Sequence, residues 1–256
     1  KRWSDTLTVT MPIVLNGGKL GSSWPGPNGA VVASPITLNA DSLFDFDPTI
    51  DPRATAMANA QNIEFATRTR LNGCGAVALS GTTLTVSFSS SWCVLRGGAQ
   101  VAGSVTATVT KVGPQTLVAL AFNQVTVNGR SLAGTATFAT ADGSTFTVTA
   151  DLTSGSRTIS IPASGLTVVG ATSAMTLTGG LAVSDGTTST AVTFSSLHYT
   201  LGQCYPDGGS VTLARGTVTE TITFSARSAT TGEVTVSRGR RTFVFTLPRY
   251  GSCPAA

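Results

Sequence analysis

The chain has 256 residues, of which 41% are hydrophobic and only 11% charged, and its 43 threonines and 27 serines supply most of the polar surface. That apolar content excludes a disordered chain, and the charged fraction falls well below the roughly 25% of an ordinary domain. The formal charge of +4 is spread along the sequence rather than gathered into the stripe that nucleic-acid binding needs, and no run of about 18 apolar residues offers a transmembrane helix.

Residues 1–40 are rich in turn residues, including Asn16-Gly17-Gly18 and Trp24-Pro25-Gly26-Pro27-Asn28-Gly29. Two alternating runs, Thr6–Val14 and Ala30–Leu38, read as strands. Lys1-Arg2-Trp3 reads as a mature or trimmed start. The stretch 41–73 is a helical insert. Asp51 is the expected N-cap with Pro52 at the first helical position, and Ala54, Ala56, Met57, Ala58 and Ala60 are strong helix formers. Asn72-Gly73 is a suitable stop, so one helix is predicted over about 52–71, with a break expected near Asn59–Asn62.

From residue 74 onward nearly everything alternates with period two, as in Val105, Ala107 and Val109 interleaved with Thr106, Thr108 and Thr110. Asp142-Gly143 and Asp185-Gly186 are hairpin signals, and Asn128-Gly129, Gly179-Gly180 and Gly208-Gly209 read as further turns. About twelve mostly antiparallel strands follow. The expected fold is mainly β: a large antiparallel sheet, folded as a sandwich or curled into an open groove, in a single domain over 1–256. One face carries valine, leucine, alanine and phenylalanine and the other threonine and serine, so one side is dry and one wet. An outer-membrane barrel would need aromatic girdles, and aromatics are only 7%.

Four cysteines, Cys74, Cys93, Cys204 and Cys253, allow three pairings. With one histidine in the chain and no C-x-x-C pair, zinc is disfavoured. Cys74–Cys93 and Cys204–Cys253 are the preferred pairs, because each brackets a run of antiparallel strands. Disulfides imply an oxidising compartment: the expected location is secreted, periplasmic or on the outer cell surface. No N-x-S/T sequon occurs, which favours a bacterial over a eukaryotic secretory chain.

The alanine-rich helix after Asp51-Pro52, then Asn72-Gly73-Cys74, a hairpin to Cys93, the Val127-Asn128-Gly129 turn between threonine-rich strands, Cys204-Tyr205-Pro206 and the late Cys253 occur in order. This pattern resembles secreted or lipid-anchored β-rich proteins of uncharacterised function from Gram-negative soil bacteria, over most of residues 45–256. The resemblance implies a cell-envelope or external location and paired cysteines. It implies no activity for any residue.

Several constellations could carry chemistry. His198, Tyr199, Tyr205 and Asp207 gather the sole imidazole, two tyrosines and a carboxylate within ten residues, and a histidine beside an acid can serve as a general base. Asp45, Asp47 and Asp51 form D-x-D-x-x-x-D, part of a calcium loop without its glycine or its final acid. With help from backbone carbonyls they could hold Ca²⁺; no other cofactor is expected. Trp24 and Trp92 are candidate stacking platforms for sugar rings. Arg238, Arg240 and Arg241, with Arg227 and Arg249 near them in sequence, are a candidate anion site, since guanidinium forks match phosphate, sulfate and carboxylate oxygens.

Catalytic side chains are sparse and sheet surface is abundant. The expected role is therefore a non-enzymatic binding or structural one, with a glycan-like or lipid-like ligand and no nucleic acid. Two alternatives stand beside it. One is a secreted hydrolase of polysaccharide using carboxylates or His198, and the other an adhesin or surface-layer component acting through strand edges. Membrane anchoring and oligomeric state stay open.

Overall fold

The computed structural model describes residues 13–14, 35–36, 50–71, 73–94, 100–127, 129–171, 174–200, 203 and 205–247. Two short strands, β1 (Ile13–Val14) and β2 (Pro35–Ile36), pair antiparallel within the two predicted N-terminal runs. Helix α1 (Ala56–Leu71) follows. The rest is one meander: β3 (Ala76–Ser80), β4 (Thr83–Val94), β5 (Gln100–Val112), β6 (Gln115–Val127), β7 (Arg130–Thr140), β8 (Thr145–Ser154), β9 (Arg157–Ala171), β10 (Ala174–Ser184), β11 (Ser189–Thr200), β12 (Gly208–Arg215), β13 (Val218–Thr223), a short α2 (Ala226–Thr231), β14 (Glu233–Arg238) and β15 (Arg241–Thr246). These 13 strands lie in sequence order, each antiparallel to its neighbours, and the first and last do not pair with each other. The mainly β, antiparallel expectation holds, and the sheet is open.

Helix α1 starts four residues later than its sequence signals suggest. Asp51 closes a turn in which Ala54 N donates to its carbonyl at 3.0 Å and Arg53 N to its carboxylate at 2.8 Å. Proline suits the second position of such a turn as well as it suits a helix start. The cap is Thr55, whose hydroxyl accepts Ala58 N at 3.1 Å. No break occurs at Asn59. That side chain is fully buried, accepting Asp51 N at 2.9 Å and donating to the Asp51 carbonyl at 2.8 Å. The second helix, α2, has no counterpart among the predicted elements; Ser225 caps its start and Gly232 closes it in the left-handed conformation at φ 72°.

The period-two pattern places Leu84, Val105, Val118, Phe138, Val148, Leu177, Phe194, Leu213 and Val234 in one buried apolar cluster, joined by Ala60 and Leu71 of α1, which packs on β3, β4 and β5. Residues of opposite phase form the hydroxyl face. Thr193, Thr212, Thr221, Ser237 and Thr242 stand in register across β11 to β15, and the Thr212 and Thr221 hydroxyls lie 3.1 Å apart.

The two glycine pairs read as turns lie inside strands. Gly179-Gly180 is in mid-β10 and Gly208-Gly209 begins β12. They belong to a line of register shifts that crosses the sheet. On it lie Gly103, Gln124, Gly134, Gly179, Ser196 and Gly209, and in β9 the four residues from Pro162 to Gly165 stand opposite Thr149 alone. The bulged positions Gln124 and Ser196 have φ of 52° and 46°. Beside them Gly103 and Gly209 point inward, where a Cβ would strike the Gln124 and Ser196 carbonyls. Bulges bend and coil strands, so this crease lets strands of 8–15 residues fold the sheet over its own apolar face.

The two edges differ. At β3 the Arg68 guanidinium of α1 donates to the Val77 carbonyl, which blocks strand addition there. At β15, Val244 is 66% exposed. No described helix is long and apolar enough to cross a membrane.

Candidate functional site

The sheet end that carries the β11–β12 connection holds the clearest polar cluster. Strand alternation sends His198 to the wet face and its neighbour Tyr199 inward. The register pairs His198 with Thr176 on one side and Gly208 on the other, and the glycine leaves room beside the imidazole. The chain then returns so that Asp207 N donates to the His198 carbonyl at 3.0 Å. The Asp207 carboxylate accepts the His198 Nδ1 hydrogen, and its other oxygen accepts the Thr200 hydroxyl at 2.5 Å. Burial of Asp207 opposes its ionisation. The Thr200 hydroxyl, the His198 hydrogen bond and the imidazole's charge outweigh that and hold the carboxyl below its ordinary value. With Nδ1 turned to Asp207, Nε2 is the ring nitrogen left for another partner, an acceptor whenever the imidazole is neutral, on a side chain that is 42% exposed.

The two tyrosines predicted to share this site do not. Tyr199 is buried and donates to the Gln203 carbonyl, and Tyr205 is buried with its hydroxyl 3.2 Å from the Leu247 carbonyl. Both brace the loop from the core side. For Tyr199 the reason was present in the alternation: consecutive strand residues face opposite ways. His198, Thr200 and Asp207 are therefore the cluster, and Thr200 is the member that sequence reasoning missed. Its signal was its spacing, two residues beyond His198 on the same face.

The other candidates separate. Cys74 and Cys93 are joined as a disulfide, with Cα atoms 5.1 Å apart. Cys204 and Cys253 lie outside the described residues. So do Asp45, Asp47, Trp24 and Arg249, and Trp92 falls where the β4–β5 pairing is interrupted. Asp51 is spent on its own turn, and among the described residues no group of three or more metal-ligating side chains converges.

Arg238, Arg240 and Arg241 form the β14–β15 hairpin, with Arg238 paired to Arg241 in register and 3.3 Å from Glu220. Arg227 is not part of that group. It stands at the opposite end of β14, 3.3 Å from Glu233. The third glutamate, Glu64, bonds Arg68 at 2.8 Å. Each glutamate thus holds an arginine.

The class of protein that this geometry defines is an open antiparallel meander, dry inside and hydroxyl-rich outside, with a histidine–aspartate pair at one end. Comparison with protein families, with curated proteins and with solved structures found no match.

Proposed function

We propose that the protein works outside the cytosol, secreted or in the cell envelope, as a non-enzymatic binding or structural scaffold whose ligand is glycan-like. The observation that carries this reading is how the two faces of the sheet are used. The inward residues from Val77 to Val234 are buried against one another. Each large apolar side chain so buried contributes roughly 1.5–3 kcal/mol relative to exposure. A lipid tail entering that face would have to displace several of them, which favours a ligand on the hydroxyl face or the sheet ends. The Cys74–Cys93 disulfide supports an oxidising compartment.

The test is incubation of the purified protein with polysaccharide and ester substrates alongside direct binding measurements on the same glycans. Binding without turnover is expected. Turnover lost in His198→Ala would overturn the non-enzymatic reading.

One observation favours a second reading, a hydrolase: His198 does meet an acid. An imidazole oriented through Nδ1 by Asp207 can take a proton from water or a hydroxyl at Nε2. The contacts of Asp207 with Thr200 and with the His198 backbone weigh toward a strap that fixes the loop. The same substrate panel decides between them.

A further inference from the structure

The opposite end of the sheet carries a different chemistry. By the meander's up-and-down order, the turns at Gly129, Gly155-Ser156, Asp185-Gly186, Gly216-Thr217 and Gly239-Arg240 all lie there. Arg130, Arg157, Arg215, Arg238 and Arg241 occupy the last strand positions at this end, and Arg240 the turn. Four of them stand two residues from an inward apolar side chain: Arg130 from Leu132, Arg157 from Ile159, Arg215 from Leu213 and Arg238 from Val236. Period two therefore sets them on the inner phase, at the rim of the folded sheet, where the dry interior meets water. Against these six arginines the described residues at the strand ends supply two carboxylates, Asp185 and Glu220.

Asp185 caps its own turn and also feels the charge of Arg215. It accepts Thr187 N, the Thr187 hydroxyl and Thr188 N at 3.1, 2.8 and 2.8 Å. Beside it, Arg157 and Arg215 line a shallow dent with Ser184 and Thr188, and Arg215 Nη2 donates to the Thr188 hydroxyl at 3.1 Å.

We propose that this arginine rim is the binding site for an acidic polysaccharide, one bearing carboxylate, sulfate or phosphate groups at intervals along its chain. This deepens the binding reading above and rests on it. Guanidinium forks match such oxyanions in planar, bidentate fashion, and the hydroxyls between them suit sugar. The rim spans eight strand intervals, from β7 to β15; at about 4.8 Å each it is an arc of roughly 40 Å, long enough for several sugar units. A bilayer is the poorer partner, since membrane docking also draws on buried apolar area. In the strand halves at this end the described residues expose only two large hydrophobics, Val218 at 38% and Phe243, two residues in from Arg241, at 36%.

The experiment measures binding of the full chain, in 0.15 M salt as a roughly physiological ionic strength, to polygalacturonate, dextran sulfate and neutral dextran, and to phosphatidylcholine vesicles with and without phosphatidylglycerol. The variants are Arg157→Gln/Arg215→Gln and Arg240→Gln/Arg241→Gln at the rim. The control, Arg53→Gln/Arg227→Gln, removes the same charge from the other end. The expected result is binding to the two acidic polymers and not to dextran, weakened about tenfold or more by each rim pair and less than about twofold by the control, with salt sensitivity reduced in the rim variants alone.

Equal losses in rim and control variants would reduce the effect to net charge and overturn the site. Binding to neutral dextran that survives the rim substitutions would overturn the rim and leave the glycan-binding role standing. Binding to none of the glycans would overturn both. Capture by phosphatidylglycerol vesicles alone would replace the polysaccharide with a membrane surface and overturn the proposal.

Discussion

Gly209 lies directly against the carbonyl oxygen of Ser196, so that a Cβ at position 209 would collide with the neighbouring strand. Its φ of 84° is also one that side chains avoid. Gly209→Ala is expected to destabilise the protein by roughly 3 kcal/mol or more, from strain and steric displacement together. Gly216 provides the comparison: it has a φ of 56° and nothing within 4 Å of its would-be Cβ. Gly216→Ala should cost about 1 kcal/mol. Urea denaturation of both variants tests the crease. Equal losses would mean that the close approach across β11 and β12 contributes nothing.

That pair of glycines also explains why the fold was only partly legible. Alternation revealed the strands because one face is dry, and Asp142 and Asp185 revealed hairpins because their carboxylates accept turn N–H groups locally. Glycine in a turn and glycine in a crease look alike in sequence. Only the register, with Gly179 opposite Leu166 and Phe194, tells them apart. The candidate site was half legible for a related reason. His198 and Asp207 are brought together by a short return of the chain, whereas the rim arginines are scattered from 130 to 241 and meet only through the meander. Their inward phase could have been read from Leu132, Ile159 and Leu213, but not the end of the sheet that they share.

The Cys74–Cys93 bond closes a span of 19 residues around the β3–β4 hairpin. Chain-entropy arithmetic gives about 3 kcal/mol for a loop near this size. A Cys74→Ser/Cys93→Ser double variant should lose roughly 2–4 kcal/mol against the oxidised protein in urea. Wild type and variant of equal stability under oxidising conditions would show that the bond constrains nothing and would remove its support for export.

Asp207 should make stability sensitive to acid. Its folded-state pKa lies below the ordinary 3.8, so its contribution is complete above the unfolded value and is lost as pH falls through the folded one. Asp207→Asn should cost roughly 1–3 kcal/mol at pH 7, since it breaks charge-assisted bonds to Thr200 and His198. That difference should shrink between about pH 5 and pH 2. Denaturation midpoints of wild type and variant that run parallel over that range would exclude Asp207 as the source. By contrast Asp185, held down to about 2 by the Thr187 and Thr188 hydrogen bonds, sits in the open, and its carboxyl carbon should titrate near that value in an NMR pH series.

Asn59 ties the segment before α1 to the helix through two hydrogen bonds to the backbone of Asp51, one given and one received, with no exposure to solvent. Ile50, also buried in the apolar cluster, is positioned by the same contact. Asn59→Ala would leave the Asp51 N–H without that side-chain acceptor in a part-buried setting and open a void beside Ala60, although alanine is the better helix former. Propensity alone predicts a gain of a few tenths of a kcal/mol, while loss of the paired bonds predicts a loss of roughly 2 kcal/mol. The second effect is several times the first, so the variant should be destabilised. Asn59→Asp keeps the acceptor and removes the donor to the Asp51 carbonyl, while adding a charge at a position with no solvent exposure. It should be the worse of the two at pH 7 and recover part of the loss below pH 4, where a protonated carboxyl can donate again. Denaturation of both variants at pH 7 and pH 3.5 checks the order, and a stabilised Asn59→Ala would show that the clasp is dispensable.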